Sequence, residues 1–266
     1  MPVDRVSCGE AALSPFCSRK SICPSIGSLP LRIVEHKRWP CSKPDRTDVK
    51  IILGATAVAH PPLAPEVALH LAGNVTDLWE TLARSGRRPE DCFPYWAVAW
   101  VGGQAIARYV LDHPDLVAGR RVLDFAAGSG LGGIAAMTAG ARSAIAAEID
   151  PLGRTAIELN GTLNAVTVAV QAENAVESEP RAIDLILAGD VCYEREMTAR
   201  VLPWLRSMQR RGTRVLIGDP GREYLPREGL TLLAQYEVRT AREVEGVECK
   251  HAAVYALADD GLVPEP

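Results

Sequence analysis

The sequence holds no run of 18 apolar residues, so no membrane-spanning helix is expected. It has no excess of basic residues. Lys and Arg number 29 against 33 Asp and Glu, a formal net charge of −4. That balance argues against general binding to nucleic acid or to a membrane surface, both of which want a basic face. Seven Cys are present, at 8, 17, 23, 41, 92, 192 and 249, and no pair has the C-x-x-C spacing of a zinc site. His36, His60, His70, His113 and His251 also lack metal-ligand spacing, so no metal is expected. The odd, irregular Cys set reads as free thiols in a reducing compartment, which favours the cytoplasm. No G-K-[ST] follows the glycines of the chain's Gly-rich loop, which excludes a P-loop. No internal repeat is visible.

What is present is a chain of 266 residues, 47% hydrophobic and 23% charged, enough to bury a core. Residues 1–49 stand apart. They hold four of the Cys, many Pro and Ser, and no helical or alternating period, and read as a poorly ordered arm. Arg5, Arg19 and Lys20, with few acids, weakly resemble an organelle transit peptide. A mitochondrial matrix location is therefore the alternative to the cytoplasm, although an untargeted tail is the simpler reading. Residues 50–266 form the expected folded domain, taken as a monomer.

Lys50–Val58 reads as a short strand or extended lead-in. Pro65–Arg84 reads as a helical stretch interrupted at Gly73-Asn74, with Asn74 or Thr76 as its N-cap. Ser85–Cys92 is loop. Phe93–Gly103 gathers two Trp and a Tyr within six residues, in a chain with only 5% aromatics, and leads into a helix over Gln104–Leu111. Strands then alternate with helices. Strands are expected at Arg121–Phe125, Ala144–Glu148, Thr167–Gln171, Ile183–Ala188 and Arg214–Gly218. Helices are expected at Gly130–Ala139, Pro151–Asn164 and Glu194–Arg211, the last closed by Gly212. A short helix near Leu225–Leu233 and two late strands, Ala234–Val244 and Ala252–Leu257, complete the pattern. The expected fold is α/β: a Rossmann-like, doubly wound, mostly parallel sheet of seven strands with a C-terminal antiparallel hairpin.

The loop after the first of these strands carries the first chemical signal. It reads D-F-A-A-G-S-G-L, with Asp124 in the strand and Gly128 and Gly130 in the turn. A dinucleotide site would place G-x-G-x-x-G there, and an acid at that point would repel a pyrophosphate. Asp124 suits a ligand with an ammonium group, and the small residues let that ligand approach the backbone. Glu148, ending the second strand, can accept hydrogen bonds from ribose hydroxyls. S-adenosylmethionine has both groups. Each acid alone could instead be a capping or solvated carboxylate. After the fourth strand, Asp190 and Tyr193 are three residues apart and can share one pocket. Asp190 could alternatively cap the helix that follows from Glu194.

The set Asp124, Gly128, Gly130, then Glu148-Ile149-Asp150-Pro151, then Gly189-Asp190-x-x-Tyr193 resembles the class I, seven-strand methyltransferases, and the D-x-x-Y resembles those that methylate protein lysines. Tyr95-Trp96-Ala97-Val98-Ala99-Trp100-Val101-Gly102-Gly103-Gln104-Ala105 with Leu216-Ile217-Gly218-Asp219-Pro220-Gly221-Arg222 is similar to the lysine methyltransferases of the electron transfer flavoprotein β subunit. The resemblance spans roughly residues 52–257. It implies methyl transfer from S-adenosylmethionine to protein lysine, with the electron transfer flavoprotein β subunit as the partner. It also implies Asp190 as the carboxylate that orients the lysine, with Tyr193 beside it. The cofactor set implied is Trp100, Asp124, Ala126, Gly128, Gly130, Glu148, Asn174 and Asp190. Tyr193 and Trp100 would form pocket walls whose rings suit a methylated amine, while Trp96 and Trp100 read equally well as core. Phe93–Gly103 would fold over the cofactor, and Asp219–Arg222 would lie near the substrate entrance. Two positions depart from the usual pattern: Ala126 stands where a glycine is usual, and Glu148 where an aspartate is. Two other readings share this cofactor site: a small-molecule amine methyltransferase and a non-catalytic S-adenosylmethionine-binding module.

Overall fold

Apolar residues alternate with helical segments over most of the chain, and the computed structural model resolves that alternation into one large sheet. It describes residues 45–84, 93–178, 182–240 and 245–258. The first part runs through α1 (Arg46–Ala55), an antiparallel pair β1 (Ala57–Ala59) and β2 (Leu69–Leu71), and α2 (Val75–Arg84). A 3-10 turn at Tyr95–Ala97 precedes α3 (Val101–Asp112). Then follow β3 (Arg121–Phe125), α4 (Leu131–Thr138), β4 (Ser143–Ala147), α5 (Pro151–Leu163), β5 (Ala169–Gln171) and β6 (Leu185–Gly189). The last elements are α6 (Arg195–Arg210), β7 (Arg214–Asp219), β8 (Leu230–Arg239) and β9 (Cys249–Leu257).

Seven strands pair in the order β5-β4-β3-β6-β7-β9-β8. β3 to β7 are parallel, and β9 runs antiparallel to both β7 and β8. Side chains alternate faces along each strand, so both faces can be covered. Val122, Leu185, Leu187 and Leu216 pack with Ala105, Ile106 and Tyr109 of α3. Their neighbours Leu123, Phe125, Ile186, Ala188, Val215 and Ile217 pack on the opposite face with Val201, Leu205 and Met208 of α6. A third cluster sets Ile134 and Ala135 of α4 against Ala144, Ala146 and Ile157. Ile52, Leu78 and Leu82 of α1 and α2 gather with Trp96, Leu152 and Ala156.

The expected seven-stranded sheet and terminal hairpin are present; the bounds of the five parallel strands shift by at most two residues, and those of the hairpin strands by up to five. Three local expectations are corrected. Most of Lys50–Val58 is not extended: α1 runs to Ala55, started by the Asp45 carboxylate, which accepts the Thr47 N–H at 2.8 Å, and only Ala57 and Val58 belong to a strand, β1. An apolar run of this length fits a helix or a strand, and its cap lay just before the run. Residues 65–72 are not helical but turn and β2; the helix starts after Asn74, whose side chain accepts the N–H groups of Thr76 and Asp77. Leu225–Leu233 is not a helix; β8 begins at Leu230, and its length comes from pairing with β9. The expected loop Ser85–Cys92, almost all of the arm 1–49 and the end of the run Ala234–Val244 lie outside the described residues.

The Gly102-Gly103 pair decides how close α3 comes to the sheet. A Cβ on Gly102 would overlap the Gly218 carbonyl oxygen and lie 2.7 Å from Asp190 Oδ2. A Cβ on Gly189 would lie 2.8 Å from the Gly103 Cα. The helix start therefore rests on the backbone of β6 and β7 without side chains between. A Cβ on Gly103 itself meets nothing within 4 Å. Two adjacent substitutions are therefore expected to act in opposite directions. Gly102→Ala should destabilise by about 1–3 kcal/mol through overpacking, whereas Gly103→Ala should be neutral or stabilise by about 0.5–1 kcal/mol. Thermal unfolding of both variants checks this, and equal shifts would show that α3 is not held at this distance.

Candidate active site

The strand order reverses between β3 and β6, and in such sheets ligands bind at that point, outside the carboxyl ends of the strands. A cavity of about 960 Å³ lies there. It is walled by the loops after β3, β4, β5 and β6, by the segment before α3, and by Arg222. Trp100, Asp124, Ala126, Gly128, Glu148, Asn174, Asp190 and Tyr193 all line it. The structure thus brings together every candidate residue except Gly130, which does not line the cavity.

Gly130 acts through its backbone. It is the N-cap of α4 at φ 79°, and a Cβ there would press on Ile157 at 3.1 Å. Ala126 also adopts the left-handed region, at φ 52°. For a residue with a Cβ this costs roughly 1–2 kcal/mol, which is why a glycine would sit there more easily.

Asp124 is buried, and its Oδ2 accepts the Gly133 N–H of α4 at 2.7 Å. Among the described residues no cation faces it: burial, helped by the nearby Glu148 charge, pushes its carboxyl up to about 7. An ammonium group brought by a ligand would reverse that shift.

Glu148 is half-buried just beyond β4. Its Oε2 accepts the Gly128 N–H and its Oε1 the Asp150 N–H, both at 2.8 Å. Burial raises its pKa, and these backbone bonds oppose the rise. Each oxygen keeps a further acceptor position for a hydroxyl. Asn174 is half-buried in the loop after β5, donates to Glu177 at 3.0 Å and accepts the Val176 N–H. Sequence reasoning missed Asn160. It is fully buried, donates to the Ser129 carbonyl at 2.9 Å and accepts the His70 N–H at 2.8 Å, tying the glycine loop to β2. An Asn on the inner face of a helix was the available signal.

Asp190 is buried with φ 55°. It does not cap the helix that follows: the N-cap of α6 is Glu194, with no side-chain bond. It caps α3 instead. Its Oδ2 accepts the Gly103 N–H at 3.0 Å, while the residue at the N-cap position of α3, Trp100, offers no acceptor. Its Oδ1 accepts from Arg222 at 2.8 Å. The same guanidinium donates to Glu245 at 3.0 Å, and Glu245 accepts from Lys250 at 2.7 Å. Burial pushes the Asp190 carboxyl up to about 6, against the lowering effect of Arg222 and the Gly103 N–H. Asp219, almost fully buried, accepts the N–H groups of Gly221 and Arg222, both at 2.7 Å, and so shapes the turn that delivers Arg222. Asp219 does not line the cavity. Cys192 is buried beside Asp219 and Asp190, and its thiol is pushed up to about 12 by burial.

Tyr193 is 41% exposed at the mouth, its ring 5.9 Å from that of Tyr95. Phe93, Tyr95 and Trp100 continue the rim with ring separations of 4.7 to 6.4 Å. Trp100 Nε1 donates to the Tyr95 carbonyl at 2.9 Å, and Arg222 lies 5.8 Å from its ring centre. Trp96 belongs to the core and is 1% exposed, although one edge reaches the cavity. The stretch before α3 is therefore a side wall of the cavity and joins the core at Trp96.

A family model described as ribosomal protein L11 methyltransferase (PrmA) matches residues 107–191. Among solved structures, the chain is similar to a ribosomal protein L11 methylase from Lactobacillus delbrueckii subsp. bulgaricus, at 22% identity and TM-score 0.43, covering 59% of this chain and 78% of that one. Among curated relatives, it is 36% identical to the electron transfer flavoprotein β subunit lysine methyltransferase of Xenopus laevis over 244 residues, which is 88% of this chain and 94% of the relative. The Danio rerio protein of the same name is 34% identical over 227 residues, 82% of this chain and 87% of the relative. Similarity of this extent, reaching over nearly the whole of both relatives, makes the chain a member of the electron transfer flavoprotein β subunit lysine methyltransferase family.

Proposed function

We propose that the chain transfers methyl groups from S-adenosylmethionine to lysine side chains of the electron transfer flavoprotein β subunit. The observation that carries this reading is that two pairs of groups face one cavity from neighbouring strands: Asp124 with Glu148, and Asp190 with Tyr193. The names of the relatives supply the protein substrate. It is part of the same proposal that the chain works as a monomer, in the cytoplasm or, in a eukaryotic cell, in the mitochondrial matrix.

S-adenosylmethionine, when bound, supplies a methyl group already activated by its positive sulfonium. The residues present fit it: Asp124 is a buried carboxylate that no cation among the described residues faces, suited to the ammonium, and Glu148 keeps acceptor positions for the ribose hydroxyls. Ala126 and Gly128 leave the loop backbone open to it. The chain's remaining task is to place the amine. A lysine ammonium with an ordinary pKa of about 10.4 must lose a proton before its lone pair can attack. Tyr193, Tyr95 and Trp100 offer apolar walls for the lysine stem, and a partly apolar channel lowers the pKa of an amine within it. Asp190, at the inner end, accepts a hydrogen bond from the amine N–H and so fixes the direction of the lone pair. The proton leaves toward the open mouth, where Glu194 and solvent lie.

Three predictions test this. Labelled S-adenosylmethionine with the purified chain and the electron transfer flavoprotein β subunit should give one labelled band that yields methyllysine on hydrolysis, and absence of label would sink the reading. Asp190→Ala should abolish the transfer while cofactor affinity stays within about threefold. Asp190→Asn keeps an acceptor for the Gly103 N–H and should lose transfer about 100-fold, the order expected when a reacting group is misplaced. Lost cofactor binding and lost fold in both variants would instead make Asp190 structural. Third, Asp124 ionises through about pH 7 when no ligand cation faces it. Affinity for the cofactor should therefore rise between pH 6 and 7.5 as the carboxylate forms. Asp124→Asn should bind at least tenfold more weakly and lose that slope in calorimetric titrations.

A further inference from the structure

Arg222 is held from every side. It donates to Asp190 Oδ1 through its terminal nitrogen at 2.8 Å and through Nε at 3.3 Å, and to Glu245 at 3.0 and 3.4 Å. Trp100 lies across it at 5.8 Å. The Glu245 side chain is 4% exposed and is itself fixed by Lys250. The turn that presents the guanidinium is set by Asp219. A guanidinium with two carboxylate partners and a ring face has little freedom to leave.

The groups facing Asp190 can be named element by element. α3 offers the Gly103 N–H, the loop after β7 offers Arg222, and β7 offers the Asp219 carboxylate. Its own loop offers Cys192, a protonated thiol, and Tyr193. Beyond Arg222 stand Glu245 and Lys250, from the chain that leads into β9 and from β9 itself. Among these described residues, three carboxylates face two cations. Arg222 is the cation in contact with Asp190. Without it, a buried carboxylate would face Asp219 with one peptide N–H for support, and it would take up a proton. A protonated Asp190 would still accept from Gly103, but its charge for steering an amine would be gone.

We propose that Arg222, presented by the Asp219 turn and held between Asp190 and the Lys250-paired Glu245, is a positioning residue that keeps Asp190 ionised and its carboxylate aimed at the acceptor amine. This rests on the lysine methyl transfer described above. Arg222 acts through Asp190 and does not itself handle the methyl group. Glu245 works against it by drawing the guanidinium away, so the two residues tune Asp190 in opposite senses.

The test is the pH dependence of kcat/KM for methyl transfer to the electron transfer flavoprotein β subunit, which reports ionisations of the free species, read as the ratio of variant to wild type so that the ionisation of the free substrate lysine cancels. For Arg222→Met, the acidic limb set by Asp190 should move up by about one pH unit or more. The ratio should then be about twofold lower at pH 7 and about fivefold lower at pH 6 than at pH 9, since the ionised fraction falls tenfold per unit only below the pKa. Arg222→Lys should restore most of the limb, and Glu245→Gln should move it to lower pH. A cofactor titration and a melting curve on each variant monitor the fold. If Arg222→Met does not fold, the opposite displacement in Glu245→Gln still decides the matter. Equal losses at all pH values in Arg222→Met and Glu245→Gln would overturn the proposal and leave a structural clamp. A lower KM for the protein substrate in Arg222→Met would also overturn it, by showing that Arg222 competes with the lysine for Asp190. Absence of transfer by the wild-type chain would fail the functional reading itself, which this comparison keeps separate.

Discussion

The carboxylate of Asp190 joins four parts of the molecule that share no local sequence. It stands at the end of β6, caps the start of α3 through Gly103, pairs with Arg222 from the loop after β7, and through Arg222 reaches Glu245 and Lys250 at the β8–β9 hairpin. A cap bond contributes about 1 kcal/mol to a helix, and breaking one partner from a buried ion pair costs roughly 3–5 kcal/mol. The close approach of α3 to Gly218 and Gly189 holds Gly103 at the distance the carboxylate needs. The same bonds that settle α3 on the sheet therefore fix the group that faces the cavity, and the fold and the acceptor position cannot be varied independently.

The opposite side of the cavity is less settled. Among the described residues Asp124 has one hydrogen bond and no cation facing it, and burial moves it from an ordinary 3.8 to about 7. That displacement corresponds to roughly 4 kcal/mol of disfavoured ionisation. Because the folded form binds the proton more tightly than the unfolded chain, the empty protein loses stability as pH rises from about 4 to 7. A ligand with a fixed positive end would recover it. The left-handed Ala126 adds a further cost on the same loop.

What the sequence made legible was local or periodic. The buried strands β3, β4, β6 and β7 announced themselves as short apolar runs between turn signals, and Asp124, Gly128, Glu148 and Asp190 are identifiable because each lies at or near the end of such a run. The early segment was harder. KIILGATAV has the length at which helix and strand patterns coincide, and the Asp45 cap preceded it. The β2 strand was hidden because three residues carry no period; its backbone is held by Asn160 and Asn164, about 90 residues away. Leu225–Leu233 has helix-forming residues, yet β9 claims its latter part as a strand. The partners of Asp190 were invisible for the same reason. Arg222 lies 32 residues from Asp190 and Glu245 a further 23, and only the sheet order brings them together. Sequence placed Arg222 in a loop near the entrance without a contact; it placed Asp190 at the pocket, and only the alternative cap on the following helix is replaced, by one on α3.

The two buried aspartates differ in a way that matches the two amines they would meet. The ammonium of the methyl donor stays charged throughout, so an uncompensated carboxylate such as Asp124 suits it: each stabilises the charged form of the other. The acceptor lysine has the opposite requirement, because its proton must leave before its lone pair is free. An uncompensated carboxylate at that position would raise the amine pKa and hold the proton in place. Asp190 is already partnered by Arg222. It can accept a hydrogen bond that aims the amine, while the neighbouring guanidinium cancels much of the field that would keep the amine protonated. One carboxylate without a cation and one with a resident cation, on adjacent parallel strands, thus divide the work of binding a cation from that of orienting a nucleophile.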